Sequence, residues 1–185
     1  MMPIVDSMGA ESDRPDRCVL PVAPGPVDDA DPATWPAEAL AVLETVIARS
    51  GASAGPALLD TFGRVDRQMS AREFVEFWNG TRMKAMATVG PTGAPHIAPV
   101  HAAFVAGHLR TTIYENAVRR RDLRANPRVA LTTWGPHGAA AIVYGVAREV
   151  AGSMRETRPG ASGRPRRAVA LEIEITRIHA MKTRD

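Results

Sequence analysis

Two neighbouring hydroxyls, Thr111 and Thr112, are followed seven to ten residues later by three consecutive arginines, Arg119, Arg120 and Arg121. Hydroxyls and guanidinium groups at that spacing, across a strand-to-helix corner, can converge on one phosphate. A helix opening near Ala117 would add backbone donors and a favourable dipole. Successive helical residues lie about 100° apart around the axis, so three adjacent arginines cannot all face one anion. One or two are expected to bind, with the others solvated or paired with Asp122 or Glu115. Taken alone, such a run of charge is more often a solvated face than a site.

Other chemistries find less support. His96 and His101 are five positions apart, so on a regular strand they point to opposite faces and cannot chelate one ion. His108 and His137 fall in turns and His179 near the C-terminus, and no HExxH, CxxC or paired acidic motif is present, so no metal site is expected. Nor is there a GxGxxG or Walker-type loop. Gly51 to Gly55 reads GASAG and matches the G-x-S-x-G nucleophile pattern. That elbow needs a strand before the serine and a helix after it. Here a helical pattern precedes Ser53 and Pro56 follows, so a linker is the expected structure. Cys18 is the single cysteine, which excludes a disulfide framework within one chain.

At 185 residues, 45% of them hydrophobic, the chain suits one domain with an extension. Aromatics are 5%, so the core must rest on aliphatic side chains. Net charge is +3, too small to argue for nucleic acid. Of the 23 basic residues only Lys84 and Lys182 are lysines, and the planar fork of arginine suits phosphate and carboxylate. Acidic residues and prolines stand where a signal peptide would need a basic start, and no apolar run approaches the ~20 residues of a membrane span. The expectation is a soluble, cytoplasmic protein without a membrane partner.

The elements that must position these groups follow from periodicity. Residues 1–33 are rich in Asp, Pro, Gly and Ser and are expected to be an extended or disordered tail. Residues 34–69 read as a helical extension and linker: Thr34, Pro36 and Glu38 mark a helix start, Leu40, Leu43, Val46 and Ile47 share one face, and Gly51 marks its stop. Ser70 to Glu73 form a capping box, and the helix it opens, to about Thr81, buries Phe74, Phe77 and Trp78. From Lys84 the period changes to two. Strands are expected at 84–89, 94–105, 109–113, 129–134 and 139–150, with Asn116 to Ala125 a helical turn and 151–167 a flexible polar loop. Pro95 and Pro99 demand an edge or bulge in the second strand. A sixth strand alternates through Val169, Leu171, Ile173 and Ile175, and its phase slips near Thr176-Arg177, which implies a bulge. Six strands joined mostly by tight turns predict a mainly β fold, an antiparallel barrel with flanking helices.

The ordered set MATVGPTGAPHIAPV, LRTT and RRRDLRANPRVALTTW resembles the flavin-binding split-barrel proteins related to pyridoxamine 5'-phosphate oxidase. The similarity covers about Phe74 to Asp185. It implies a six-stranded antiparallel split barrel over 70–185 behind an N-terminal helical extension, binding FMN between the subunits of a homodimer. By that resemblance Thr112 takes the place of a hydroxyl on the cofactor phosphate, with Thr111 beside it. Arg119 stands on the phosphate-binding lysine, with Arg120 next to it. Pro99 and Val100 lie on the strand whose backbone faces the isoalloxazine ring, and Trp134 ends the strand after the helical turn. His101 and Tyr114 are the candidates to touch a small-molecule substrate. Two positions depart from the pattern: Ala117 replaces a phosphate-binding serine or arginine, and Ala98 replaces an arginine of the vitamin B6 oxidases, which argues against that activity.

The resemblance implies an FMN-dependent oxidoreductase, a flavoprotein in which the cofactor carries the electrons and the protein supplies position and polarity. Two alternatives stand beside it. One is the deazaflavin F420, whose polyanionic tail would use Arg120 and Arg121. The other is a non-enzymatic module for haem or another ligand. A nucleic-acid role for RPGASGRPRR lacks aromatics to stack bases.

Overall fold

The computed structural model describes residues 30–159 and 163–183. Most of the tail anticipated at 1–33 lies outside that range. At its end Asp31 caps a short turn of 3-10 helix, Pro32–Thr34.

Among the described residues three α-helices precede the sheet. α1 (Ala37–Ala52) buries Leu43 and Val46 on the expected face. It runs through Gly51 instead of stopping there, because Ser53 ends it: the Ser53 hydroxyl donates to Arg49 O at 3.0 Å. That bond also gives the GASAG serine a structural task. The linker then forms a second helix, α2 (Pro56–Phe62), which starts on a proline and buries none of its residues. α3 (Ala71–Gly80) opens on the capping box as expected: Glu73 N donates to Ser70 Oγ and Ser70 N to Glu73 Oε2. It buries Phe74, Val75 and Trp78 fully, while Phe77 is half-buried.

The sheet consists of β1 (Lys84–Val89), β2 (Pro95–Val100), β3 (Ala102–Val105), β4 (His108–Tyr114), β5 (Arg128–Trp134), β6 (Ala140–Glu149), β7 (Arg155–Thr157) and β8 (Arg166–Met181). α4 (Val118–Ala125) lies between β4 and β5. Hydrogen-bonded neighbours run β2-β1-β5-β6-β8-β4-β3, every pair antiparallel, with β7 paired to β8. The two ends of this path, β2 and β3, are separated in the chain by His101 alone. The sheet therefore curls until its two edges belong to one bent segment, the architecture of a split barrel. The expected second strand, 94–105, breaks at His101, so the path holds seven strands where six were expected. Both prolines stand on β2, whose free side is a sheet edge, where a missing N–H costs no ladder bond.

Local chemistry sets the corners. Ala106 and Gly107 both have positive φ, 49° and 83°, and join β3 to β4 as a two-residue hairpin turn. A side chain at Gly107 would also strike Ala39 of α1 at 2.8 Å. The anticipated bulge is present: Tyr144 pairs with Arg177 and Gly145 with Ile175, which leaves Thr176 as the extra residue. The 151–167 segment is a correction. It was expected to be a flexible loop, yet Arg155–Thr157 pairs with the start of β8, with Glu156 directly opposite Arg167.

The core joins the inward residues of the strands to α3. Phe104 meets Phe74 edge-on at 5.5 Å and Trp78 at 6.4 Å between ring centroids. Asn79 covers the β3 edge, accepting from Phe104 N at 2.9 Å and donating to Phe104 O at 3.1 Å. Beneath α3, the buried Lys84 donates to Trp78 O at 2.6 Å and to Thr81 O. No carboxylate partners it among the described residues, and burial pushes its ammonium down to about 8.

Candidate functional site

α4 follows β4 after a three-residue corner, Glu115 to Ala117, and its N-terminus carries no side-chain cap and no acidic residue in its first turn. Of its first-turn N–H groups Arg120 N donates back to Ala117 O at 3.0 Å, which leaves those of Val118 and Arg119, and the helix dipole favours an anion. The three arginines separate as the 100° rotation requires. Arg120 grips Glu149 with both ends of its fork, Nε to Oε1 at 2.8 Å and Nη2 to Oε2 at 2.9 Å. This pair holds α4 to the end of β6. Arg121 points outward and has no ion pair among the described residues. Arg119 is half-buried, and among the described residues its shielded Nε has no hydrogen-bond acceptor and no carboxylate comes within ion-pair distance. Desolvation lowers its pKa, with Asp122 acting in the opposite sense.

Asp122, one helical turn on, is wholly buried. Its Oδ2 accepts from Thr88 Oγ1 at 2.8 Å and from His96 Nδ1 at 2.8 Å, while Oδ1 is buried with no partner. Burial on its own would raise the carboxyl pKa, but the Thr88 and His96 hydrogen bonds outweigh it and hold the group below the usual carboxylate range. An ionised Asp122 can only accept, so His96 donates from Nδ1. Nothing in the sequence signalled this cluster: Thr88, His96 and Asp122 carry no motif and meet only through β1–β2 pairing and the docking of α4.

The remaining candidates divide by strand face. Thr111 points into the barrel and its hydroxyl donates to His101 O at 2.6 Å, so it fastens the β2–β3 break. Thr112, on the opposite face, is half-buried and makes no side-chain hydrogen bond among the described residues. Tyr114 shares that face and lies under the Arg166 guanidinium at 3.6 Å. His101 is held by a contact of its Nδ1 with Arg82 O at 3.1 Å. Val100 is buried, whereas Pro99 is exposed along the free edge. Trp134 ends β5 with 67% of its surface open. A concavity of about 310 Å³ opens at the start of α4, lined by Glu115 and the three residues after it and by Arg120, Arg121 and Arg124, but by neither Arg119 nor Thr112. Among the described residues no group of three or more His, Cys, Asp or Glu could hold a metal ion, and no helix is long and apolar enough to cross a membrane.

Residues 70–182 match the family model described as pyridoxamine 5'-phosphate oxidase. The chain belongs to this family. As a member of the pyridoxamine 5'-phosphate oxidase family it shares the split-barrel fold with a conserved hypothetical protein of Mycobacterium tuberculosis, at 19% identity and a TM-score of 0.53 over 64% of this chain and 88% of the other. An F420 reductase aligns at 21% identity and TM-score 0.45, over 56% of this chain and 94% of its own. HutZ, a haem storage protein of Vibrio cholerae, aligns at 14% identity and TM-score 0.46, over 59% and 92%. No curated protein sequence matches the chain. Within the family frame the two departures take definite places: Ala117 is the uncapped N-cap of α4, and Ala98 faces Met86 across the β1–β2 pair.

Proposed function

We propose that the protein is a flavin-dependent oxidoreductase that takes FMN by its phosphate at the β4–α4 corner, in a homodimer. The observation that carries this reading is Arg119, a half-buried guanidinium with a shielded nitrogen unpartnered among the described residues, on a helix with no side-chain cap and no acidic residue in its first turn. A buried cation without a counter-charge is costly, and a phosphate would supply both the charge and the acceptor. The hydroxyl of Thr112, without a partner among the described residues, and the N–H groups of Val118 and Arg119 add donors of the kind a phosphate needs. Arg120, fully engaged by Glu149, positions α4 instead of binding the ligand. Bound flavin would supply hydride chemistry, and the chain would bind, orient and exclude water. His101 and Tyr114 remain the proposed substrate contacts.

The outward face of β2, β1 and β5 supports the dimer. Cross-strand rows Ile97–Ala87–Ala130 and Pro99–Ala85–Thr132 contain no charge, and Ile97 and Trp134 are 72% and 67% exposed. A continuous apolar sheet face of this kind marks an association surface.

One observation favours F420 as a second reading: Arg121, without an ion pair among the described residues, lines with Arg120 and Arg124 the concavity at the start of α4, where a longer anionic tail would run. The absorption spectrum of the purified protein, with identification of the molecule released on denaturation, separates the readings. Released FMN supports the first and released F420 the second. A colourless protein that takes up neither on titration overturns both.

A further inference from the structure

A second cavity, of about 250 Å³, lies between α1, α2 and the last residues of β8. Its walls include Ile47, Leu58, Phe62 and Met69, and no charged side chain lines it, in a chain with 23 basic and 20 acidic residues. The polar side chains in its lining are His179 and Gln68. His179 is 6% exposed and makes no hydrogen bond among the described residues. Its ring lies 6.1 Å from Phe62 and 6.3 Å from Tyr144, centroid to centroid. Its ring nitrogens are not among the sealed, unpartnered side-chain atoms and so stay accessible at the pocket wall, and burial of the ring together with the nearby Arg177 holds this imidazole below its ordinary pKa, hence neutral.

The placement follows from the Thr176 bulge. The bulge brings Ile178 and Ala180 opposite the inward Val143 and Ala141, and His179 opposite the outward Ile142. His179 therefore leaves the barrel core and faces the helices. The cover is α2, which buries none of its residues and is flanked by Gly55 and Gly63. Among the walls it is the one held by least packing. The site is separate from the α4 corner: His179 stands nine residues along β8 from Ala170, the partner of Thr112, roughly 30 Å at ~3.3 Å per strand residue.

We propose that this cavity is a binding site for a compact, uncharged one- or two-ring molecule with a single hydrogen-bonding group, which His179 recognises. The volume suits such a ring: a dry apolar cavity of ~150 Å³ already accepts benzene. The absence of charge in the walls excludes ionic ligands, and with Gln68 Nε2 turned to Gly63 O at 3.5 Å the unpartnered imidazole sets the main polar contact. A site built around a hydrogen bond discriminates strongly against an analogue that lacks the group. The inference does not depend on the cofactor at the α4 corner.

The test uses the full chain and two isosteric probes, indole and indene, of which only indole carries an N–H. Calorimetric titration is expected to show saturable binding of both, with indole at least about tenfold tighter. His179→Phe is expected to bring the two to parity, and Ala54→Phe, which fills the cavity, to abolish both. FMN uptake should be the same in all three proteins. If the histidine variant does not fold, the Ala54 variant decides: retained indole binding overturns the proposal and its loss supports it. Failure of the wild-type chain to bind indole, or an indole preference that survives His179→Phe, also overturns it.

Discussion

Asp122 and His96, 26 positions apart, are joined by a hydrogen bond of 2.8 Å from His96 Nδ1 to a carboxylate with no surface exposure. The bond ties the edge strand β2 to α4, with Thr88 of β1 as the third member. Because Arg119 precedes Asp122 by one helical turn, the same anchor fixes where Arg119 points.

The sign of the acid dependence follows. Asp122 is held below its ordinary value of 3.8, so its contribution is present above the unfolded pKa and disappears as pH falls through the folded value. Asp122→Asn keeps the shape but loses the charge. It is expected to destabilise the protein at pH 7 and to flatten the decline of melting temperature below about pH 4, as read by thermal melts at a series of pH values.

Glu73 works in the same direction at the surface. Its hydrogen bond from Lys182, at 2.6 Å, and that from Ser70 hold it down at about 2, against an ordinary value of 4.5. Glu73→Gln is expected to lose stability at neutral pH and to match the wild type once pH falls to about 2. Ser70→Ala, which removes the other half of the capping box, should cost about 1 kcal/mol in urea unfolding.

Lys84 shows the opposite dependence. Its ammonium sits at about 8 in the fold, against 10.5 in the open chain, so the unfolded chain binds more protons between those values. Stability must therefore rise with pH across that window. Lys84→Met should remove this rise and, by leaving Thr81 O without its donor and Trp78 O with the Thr81 N–H alone, cost about 1–3 kcal/mol at pH 7.

Gly145 faces the bulge. An added Cβ would stand 2.6 Å from Glu174 O and 2.6 Å from Ile173 Cγ2. Both neighbours are fixed in the β8 ladder, so Gly145→Ala is expected to cost at least about 1–3 kcal/mol. Chemical denaturation of the variant measures this directly.

What could be read in the sequence was local or periodic. The Ser70–Glu73 box, the β8 alternation and its slip at Thr176, and the separation of three adjacent arginines all follow from spacing within a few residues. The break at His101 was not readable, because it depends on the Thr111 hydroxyl reaching the His101 carbonyl across the sheet. β7 was hidden by Gly and Pro on one side and by arginines whose pairing with β8 only the hairpin creates. Arg120 was grouped with Arg119 because its partner, Glu149, lies 29 positions away. The Thr88–His96–Asp122 cluster and the His179 cavity join residues that share no motif.

The account rests on Arg119 as the phosphate-binding cation, with Arg120 a structural one. The direct measurement is FMN titration of the cofactor-free chain, followed by flavin fluorescence, for the wild type, Arg119→Met and Arg120→Met, with a thermal melt of each. A charge-assisted hydrogen bond contributes about 1.5–3 kcal/mol, so Arg119→Met should weaken FMN by roughly 10- to 150-fold with its melting temperature unchanged or raised. Arg120→Met should instead lower the melting temperature through loss of the Glu149 pair. Arg119→Met binding FMN as tightly as the wild type would contradict the account.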